Sequence, residues 1–375
     1  MDFSLTHEQE LIRASAREFC EREVLPYARD WDRAEDIDRA LVAKLADVGY
    51  LGAWELDTVS YALVMEELGR ADSSVRGIVS VNVGLVGKTI AKWGTDGQKD
   101  EWLPKLASGE ALGCYALTEP GSGSDPSSLV TRAEREGREW VLSGSKIFIT
   151  LGSWAGLALV FARTRAEGAR GLTCFLVPTG TDGFSATRIK GKLGLRAQDT
   201  AELTLEDVRV PDANRLGAEG DGFKVAMSAL DNGRISLAAG CVGIAQGCLD
   251  ACLRYAGERQ QFGKTIASHQ LVQELLAEIA VECDAARLLT WRAAALADEG
   301  VRHTLESSVA KYYASEAAVR AANAAVQVHG GYGYIDEYPV GKYLRDARVT
   351  TLYEGTSQIQ KLIIGRALTG ENAFV

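Results

Sequence analysis

Apolar positions in the first 110 residues recur every three or four places, with polar residues between them. The stretch from Leu5 to Val24 carries this period behind Thr6, with Glu8 and Glu10 in the first turn, which is the N-terminal signature of an amphipathic helix. The same period predicts helices over Leu41–Tyr50, Val59–Leu68, Val75–Trp93 and Asp96–Ala107, separated by Gly and Asp residues. From about residue 112 the texture changes to short runs of Val, Phe, Leu and Thr at 139–150, 157–165, 172–178 and 201–211, with Gly, Pro and Asp at the turns. Strands at this density predict a small antiparallel barrel or sandwich rather than a doubly wound sheet. Beyond Phe223 three Ala-rich stretches, 223–260, 268–300 and 304–331, are helical again and apolar on more than one face. They predict an antiparallel bundle whose sides are covered by packing between subunits. The expected organisation is therefore mainly α with a middle β domain: a helical domain (1–111), a β domain (112–222) and a C-terminal helical bundle (223–375).

Charge changes this picture only by exclusion. A net charge of −10 argues against a nucleic-acid-binding surface, which needs clustered Lys and Arg to neutralise phosphates. Seven scattered cysteines (Cys20, Cys114, Cys174, Cys241, Cys248, Cys252 and Cys283) read as reduced, buried thiols. Cys248 and Cys252 lie one helical turn apart, but no Cys-x-x-Cys pair or His accompanies them, so no metal site is expected. The N-terminus has neither the basic end and apolar run of a secretion signal nor the acid-poor composition of a transit peptide. No apolar run is expected to reach the ~18 residues of a membrane span. A cytoplasmic protein is the expectation.

Several stretches carry candidate chemistry. In CYALTEPGSGSDPSSLVTRA (114–133), small residues after a proline let backbone amides approach a ligand, and Thr118, Ser122 and Ser124 add hydroxyls. A Gly/Ser loop joining two domains has the same composition. It is not a strand–GxGxxG–helix fingerprint, because Asp125-Pro126 blocks an immediate helix. In KIFIT (146–150) strand alternation sets Phe148 and Thr150 on one face, suiting a flat ring with a hydrogen-bonding edge or ordinary packing. ERQQFGK (258–264) and QVHGGYGY (327–334) end two long helices, and each reads either as a normal helix terminus or as a phosphate nest. In LYEGTSQIQ (352–360), Glu354 has no Lys or Arg within five residues on either side. An unpaired carboxylate in an apolar setting has its pKa raised toward the range of a general base. A solvated Glu near a helix start capped by Thr356 or Ser357 is the alternative.

ALTEPGSGSD, the FIT strand, ERQQFGK, QVHGGYGY and YEGTSQIQ together resemble the acyl-CoA dehydrogenase family in order and approximate spacing, over essentially the whole chain. The resemblance implies an N-terminal helical domain, a middle β-barrel domain and a C-terminal four-helix bundle, with non-covalent FAD in a homotetramer or homodimer. The TEPGSGS segment would hold the flavin and pyrophosphate through Thr118, Gly123 and Ser124, beside Tyr115 and Leu117, with Ser124 also touching substrate. Phe148 and Thr150 would flank the flavin, Phe148 standing where many members have Trp. Arg259, Gln261, Phe262, Gln270, Gln327 and Gly330 would reach the adenine diphosphate half of a neighbouring subunit's FAD, and Thr356 and Gln358 would add contacts. Glu354 matches the family's catalytic base, which takes the α-proton of an acyl thioester while a hydride leaves the β-carbon for flavin N5. Asp231, Arg234 and Gly355 match substrate contacts. A subgroup places its base on the long helix after the β domain, where this chain has Gly233.

LDNGRIS and LYEGTSQIQ look like short-chain dehydrogenases, whereas SSVRGIVSVNVGLV (73–86) looks like the glutaryl-CoA branch. In that branch the residues matching Arg76 and Ser80 face a distal carboxylate. Members that oxidise carrier-protein-bound hydroxymalonyl units carry a similar segment. The Pro-Glu-Glu-Tyr-Gly-Gly-like loop that covers the family's active site is missing, since LGAWELDTVSYALVMEEL runs straight through, and a trimmed mouth suits an acyl-carrier-protein thioester. The expected activity is FAD-dependent α,β-dehydrogenation of a short acyl-CoA, with electron-transferring flavoprotein as acceptor. The alternatives are a dehydrogenase or O₂-using oxidase of a carboxylated or carrier-bound intermediate, and a non-enzymatic relative.

Overall fold

The computed structural model describes residues 4–165 and 168–374. Four of the first seven helices follow the predicted period. Helix α1 (His7–Glu23) starts at a reciprocal cap between Thr6 and Gln9. Helices α3 (Ala40–Asp47), α4 (Thr58–Ala71) and α7 (Asp96–Ser108) stand where expected, α7 behind the same kind of cap at Thr95. A short helix, α2 (Ala28–Ala34), was not expected. The single helix read over Val75–Trp93 is three pieces: α5 (Ser73–Val79), a π-helical stretch (Ser80–Gly87) and α6 (Lys88–Trp93). Such wide turns are rare and frequently mark functional sites. Where the family's covering loop would stand, a 3₁₀ turn (Tyr50–Glu55) leads directly into the Asp57 cap of α4. The Trp54 indole from that turn packs on Gly87, in space a side chain there would need.

The β region is one eight-stranded sheet. Its strands are β1 (Gly113–Ala116), β2 (Arg132–Glu136), β3 (Glu139–Thr150), β4 (Leu157–Arg163), β5 (Leu172–Pro178), β6 (Phe184–Arg188), β7 (Thr200–Pro211) and β8 (Arg215–Leu216). The expectation of a purely antiparallel sheet is corrected, because β1 and β2 both run parallel to β4. Strict alternation in β3 is also corrected. A bulge between Lys146 and Ile149 puts Phe148 at φ +59, so the strand turns Phe148 outward and leaves it 66% exposed.

The C-terminal part is built on α8 (Gly222–Glu258), α9 (Gln270–Asp298) and α10 (Thr304–His329), followed by α11 (Val340–Thr350) and α12 (Ser357–Thr369). Helix α8 contains an 18-residue window of mean hydropathy 1.5, long and apolar enough in composition to cross a membrane, which corrects the expectation that no run approaches that length. The window is 78% buried inside the protein, as in a core helix. One apolar core joins the N-terminal helices to the sheet, and a second fills the space between α8, α9, α10 and α11. All seven cysteines are buried and free.

Polar ties cross these layers. Lys342 on α11 lies 3.0 Å from Asp72, which caps α5, and 2.5 Å from Asp346, whose other oxygen accepts from the Leu195 amide at 2.6 Å. One buried ammonium thus links the helix bearing Arg76, the loop between β6 and β7, and the helix that leads to Glu354.

Candidate active site

After α11 the chain reverses through two left-handed residues, Glu354 (φ +53) and Gly355 (φ +87), and Thr356 then caps α12 by accepting from the Ile359 amide at 3.2 Å. Position 355 requires glycine for its φ and also because a Cβ there would lie 2.7 Å from Gln360 Nε2. This reversal directs the Glu354 side chain inward, against α8. A Cβ on Gly233 would lie 2.5 Å from Glu354 Oε2, so only a glycine lets the carboxylate sit there. Oε2 is sealed from solvent and has no hydrogen-bond partner among the described residues. Glu354 is therefore not a solvated Glu at a helix start.

Its isolation along the chain does not hold in space. Arg76 from α5, Lys311 from α10 and Arg234 from α8 all act on it electrostatically and oppose the rise. Burial outweighs them and holds the carboxyl above the ordinary carboxylate range.

Arg76 is 3% exposed, with its side chain over Gly240 of α8. Its Nη2 donates to the Tyr353 hydroxyl at 2.9 Å, while Nη1 is buried without a partner. Among the described residues no carboxylate pairs with it. Nearby, the Ser80 and Ser236 hydroxyls stand 2.9 Å apart, and Tyr61 Oη is 3.4 Å from Ser236 Oγ. Arg234 Nη1 donates to Asp231 Oδ1 at 2.7 Å, and Thr304 donates to Asp231 Oδ2 at 2.9 Å, so these two predicted substrate contacts pair with each other in a half-buried cluster.

The Gly/Ser loop is held by a pair that the sequence reading passed over. Glu119 accepts from the Val130 and Thr131 amides at 2.6 and 2.9 Å and from Lys146 Nζ at 2.8 Å. Lys146 is fully buried and donates also to the Leu117 and Phe161 carbonyls. Beyond this anchor Gly123 and Ser124 are exposed, with open space where a Gly123 side chain would be. Thr118, Tyr115 and Leu117 are half-buried behind them. Thr150 accepts at 3.1 Å from Gln198 Nε2, and Gln198 packs on Gly77, next to Arg76.

At the ends of α8 and α10, Arg259, Gln261, Gln327 and Gly330 line one open cavity of about 410 Å³. Arg259 sits 5.8 Å above the Tyr332 ring. Phe262 (φ +54, 93% exposed) and Gln270 stand on the surface beyond it, and Gln358 is exposed on α12. The structure thus forms two groups of predicted residues, one around Glu354 and one around Arg259. The contributors missed by the sequence reading are Lys311, Gln360, Ser236, Tyr61, Gln198 and the Glu119–Lys146 pair. A single Lys in the Ala-rich face of α10 was the one legible sign of Lys311.

Residues 6–110, 114–208 and 220–369 match the models for the N-terminal, middle and C-terminal domains of acyl-CoA dehydrogenase. The mitochondrial short-chain specific acyl-CoA dehydrogenase of Mus musculus is 43% identical over 371 residues, covering 96% of this chain and 90% of that one. A chain from a structure of the electron transferring flavoprotein of Acidaminococcus fermentans superposes with a TM-score of 0.97 at 40% identity, covering 99% of this chain and 100% of that chain. A glutaryl-CoA dehydrogenase from Mycobacterium smegmatis, in complex with FADH2, superposes with a TM-score of 0.95 at 36% identity, covering 99% and 97%. With all three domain models matched in order and a full-length relative this similar, the chain belongs to the acyl-CoA dehydrogenase family, FAD-dependent oxidoreductases of acyl thioesters.

Proposed function

We propose that this protein dehydrogenates a short acyl-CoA between its α- and β-carbons, with Glu354 as the base. The observation that carries the proposal is the buried, unpartnered Oε2 of Glu354 on an inward-facing left-handed turn. An α-C–H beside a thioester is a weak acid, so its removal needs a carboxylate of raised basicity and a donor for the developing enolate oxygen. Burial supplies the first. The Glu354 amide, which donates to no other described residue, supplies the second.

The residues present fit FAD. The loop at Gly123 and the helix end at Gly330 both leave open space where side chains would stand, and Phe148 offers an exposed ring. Thr118, Gly123, Ser124, Phe148 and Thr150 would hold its flavin end, and the Arg259 cavity an adenine diphosphate end, from a neighbouring copy in an oligomer. When bound, FAD would supply the acceptor for the hydride that leaves the β-carbon. The chain's own residues orient the thioester, bury the base and hold the proton at the Glu354 carboxyl. An electron-transferring flavoprotein would take the electrons on.

Arg76 supports a second reading, in which the acyl group carries a distal carboxylate. A buried guanidinium with a free Nη1 beside the Ser80–Ser236–Tyr61 hydroxyls is poorly matched to an alkyl end and well matched to an anion. Such a substrate, as a CoA or acyl-carrier-protein thioester, would use the same base.

The test is anaerobic bleaching of the purified yellow protein by butyryl-CoA, glutaryl-CoA and their carrier-protein thioesters, in wild type and Glu354→Gln. The Gln variant should keep FAD and substrate binding and lose flavin reduction by about 10²–10⁴-fold. Reduction at a near wild-type rate would remove Glu354 from the reaction.

A further inference from the structure

Lys311 is fully buried in the middle of α10. Its ammonium donates to the Gly355 carbonyl at 2.7 Å, and among the described residues no carboxylate forms an ion pair with it. Taking an unpaired ammonium out of water costs several kcal/mol, and an Ala-rich helix contact could be made at no such cost by Leu or Met. The position of the charge is therefore informative. Gly355 is the second of the two left-handed residues that aim Glu354, and Gln360 Nε2 donates to both carbonyls of that pair, at 3.1 Å to Glu354 O and 3.0 Å to Gly355 O. Gln360, like Lys311, is fully buried. Two buried side chains thus clamp the same reversal, one neutral and one charged.

We infer that Lys311 is a positioning residue for the Glu354 base, holding the Gly355 carbonyl so that the carboxylate points at Gly233, and lending it positive charge from the side facing α10. The inference rests on Glu354 being the base. The other cations facing the carboxylate are Arg76 from α5 and Arg234 from α8. Tyr61, Tyr115, Cys241 and Tyr353, all neutral at physiological pH, are its remaining titratable neighbours. Burial pushes the Lys311 ammonium down to about 8, whereas the arginines stay charged at any working pH. Lys311 is therefore the one cation of the three whose help fades within the working range.

The sign follows directly. A nearby cation favours the ionised carboxylate, so removing it raises the Glu354 pKa and moves the acid limb of flavin reduction to higher pH. In the holoenzyme, Lys311→Met should shift that limb upward by about one pH unit, the low end for one opposite charge. Rates should then be about tenfold lower below the limb. Above pH 8, where the wild-type ammonium has lost its proton, the electrostatic part of the difference should close. Gln360→Leu removes the neutral clamp and should lower the plateau rate without moving the limb. If Lys311→Met does not retain FAD, Lys311→Gln serves, since it drops the charge while keeping an amide donor, and the same shift is expected. An acid limb that stays in place in the neutral variant, whatever happens to the plateau, overturns the inference and leaves a structural lysine. Glu354→Gln run alongside separates the two readings. A Gln variant that still reduces its flavin removes the base itself, whereas an inert Gln variant with an unmoved limb in the Lys311 variant removes only Lys311.

Discussion

Replacing Arg76 with methionine removes a guanidinium that is 3% exposed, so solvent screening does not dilute the effect. Two losses follow, and they separate by substrate. The bond from Nη2 to the Tyr353 hydroxyl at 2.9 Å is lost whatever acyl group is bound. A hydrogen bond with one charged partner contributes about 1.5–3 kcal/mol, and its loss next to the base slows butyryl- and glutaryl-thioesters by a common factor. Only a carboxylated substrate also loses a partner for the free Nη1, and leaving one member of a buried pair unmatched costs about 3–5 kcal/mol. At about 1.4 kcal/mol per tenfold, the glutaryl-to-butyryl preference should fall by roughly two to three and a half orders of magnitude. Tyr353→Phe removes the shared bond while keeping the guanidinium, and should lower both substrates together. The assay is anaerobic stopped-flow flavin reduction with both thioesters on wild type and both variants, compared as the ratio of limiting rate over Kd. A preference ratio unchanged in Arg76→Met refutes the carboxylate role, however far the individual rates drop.

Arg259→Ala should weaken FAD retention, read by flavin released on gel filtration, because it removes the fixed cation lining the α8–α10 cavity; retention equal to wild type would move the adenine end elsewhere. Gly233→Ala places a methyl carbon 2.5 Å from Glu354 Oε2 and should cut flavin reduction at least about tenfold with FAD content unchanged, since a misplacement near 1 Å costs up to about 10²-fold. Lys146→Met leaves Glu119 buried and unpaired, and should destabilise the protein by about 3–5 kcal/mol in urea unfolding. The double variant Lys146→Met/Glu119→Gln should lose less than the single one, and a larger loss would contradict the pairing.

Local chemistry made much of the fold legible. Thr6 and Thr95 announced their helices because a cap and the apolar period behind it are neighbours in sequence. Helix α11 carries no such local signal: its Lys342 is partnered by Asp346 on the same helix and by Asp72 from a distant part of the chain. The parallel pairing of β1 with β4 is equally non-local, and the bulge at Phe148 depends on a positive φ that no glycine advertises. At the site, YEGTSQIQ singled out Glu354, but the environment of that carboxylate did not follow from the motif. The three cations around Glu354 come from positions 76, 234 and 311; the sequence singled out the two arginines for the substrate, not for the acid, and Lys311 looked ordinary in its own segment. The packing of Trp54 on Gly87 is likewise a contact between segments that the absence of a loop motif did not convey.

The contact between Gly233 and Glu354 has an evolutionary meaning. Two backbone positions more than a hundred residues apart converge on room for a single carboxylate, with a Cβ at one lying 2.5 Å from the oxygen of the other. The site has one seat for an acid, and the family resemblance implies two addresses from which to fill it, 354 in this chain and 233 in a subgroup. Moving the acid from one address to the other by single substitutions would pass through one of two poor intermediates. Carrying both acids crowds two carboxylates together, each disfavouring ionisation of the other, and carrying neither leaves no base. With Glu354 as the proposed base, the glycine at 233 would be as much a part of the catalytic solution as the glutamate, and the pair would form a barrier between two ways of building one site.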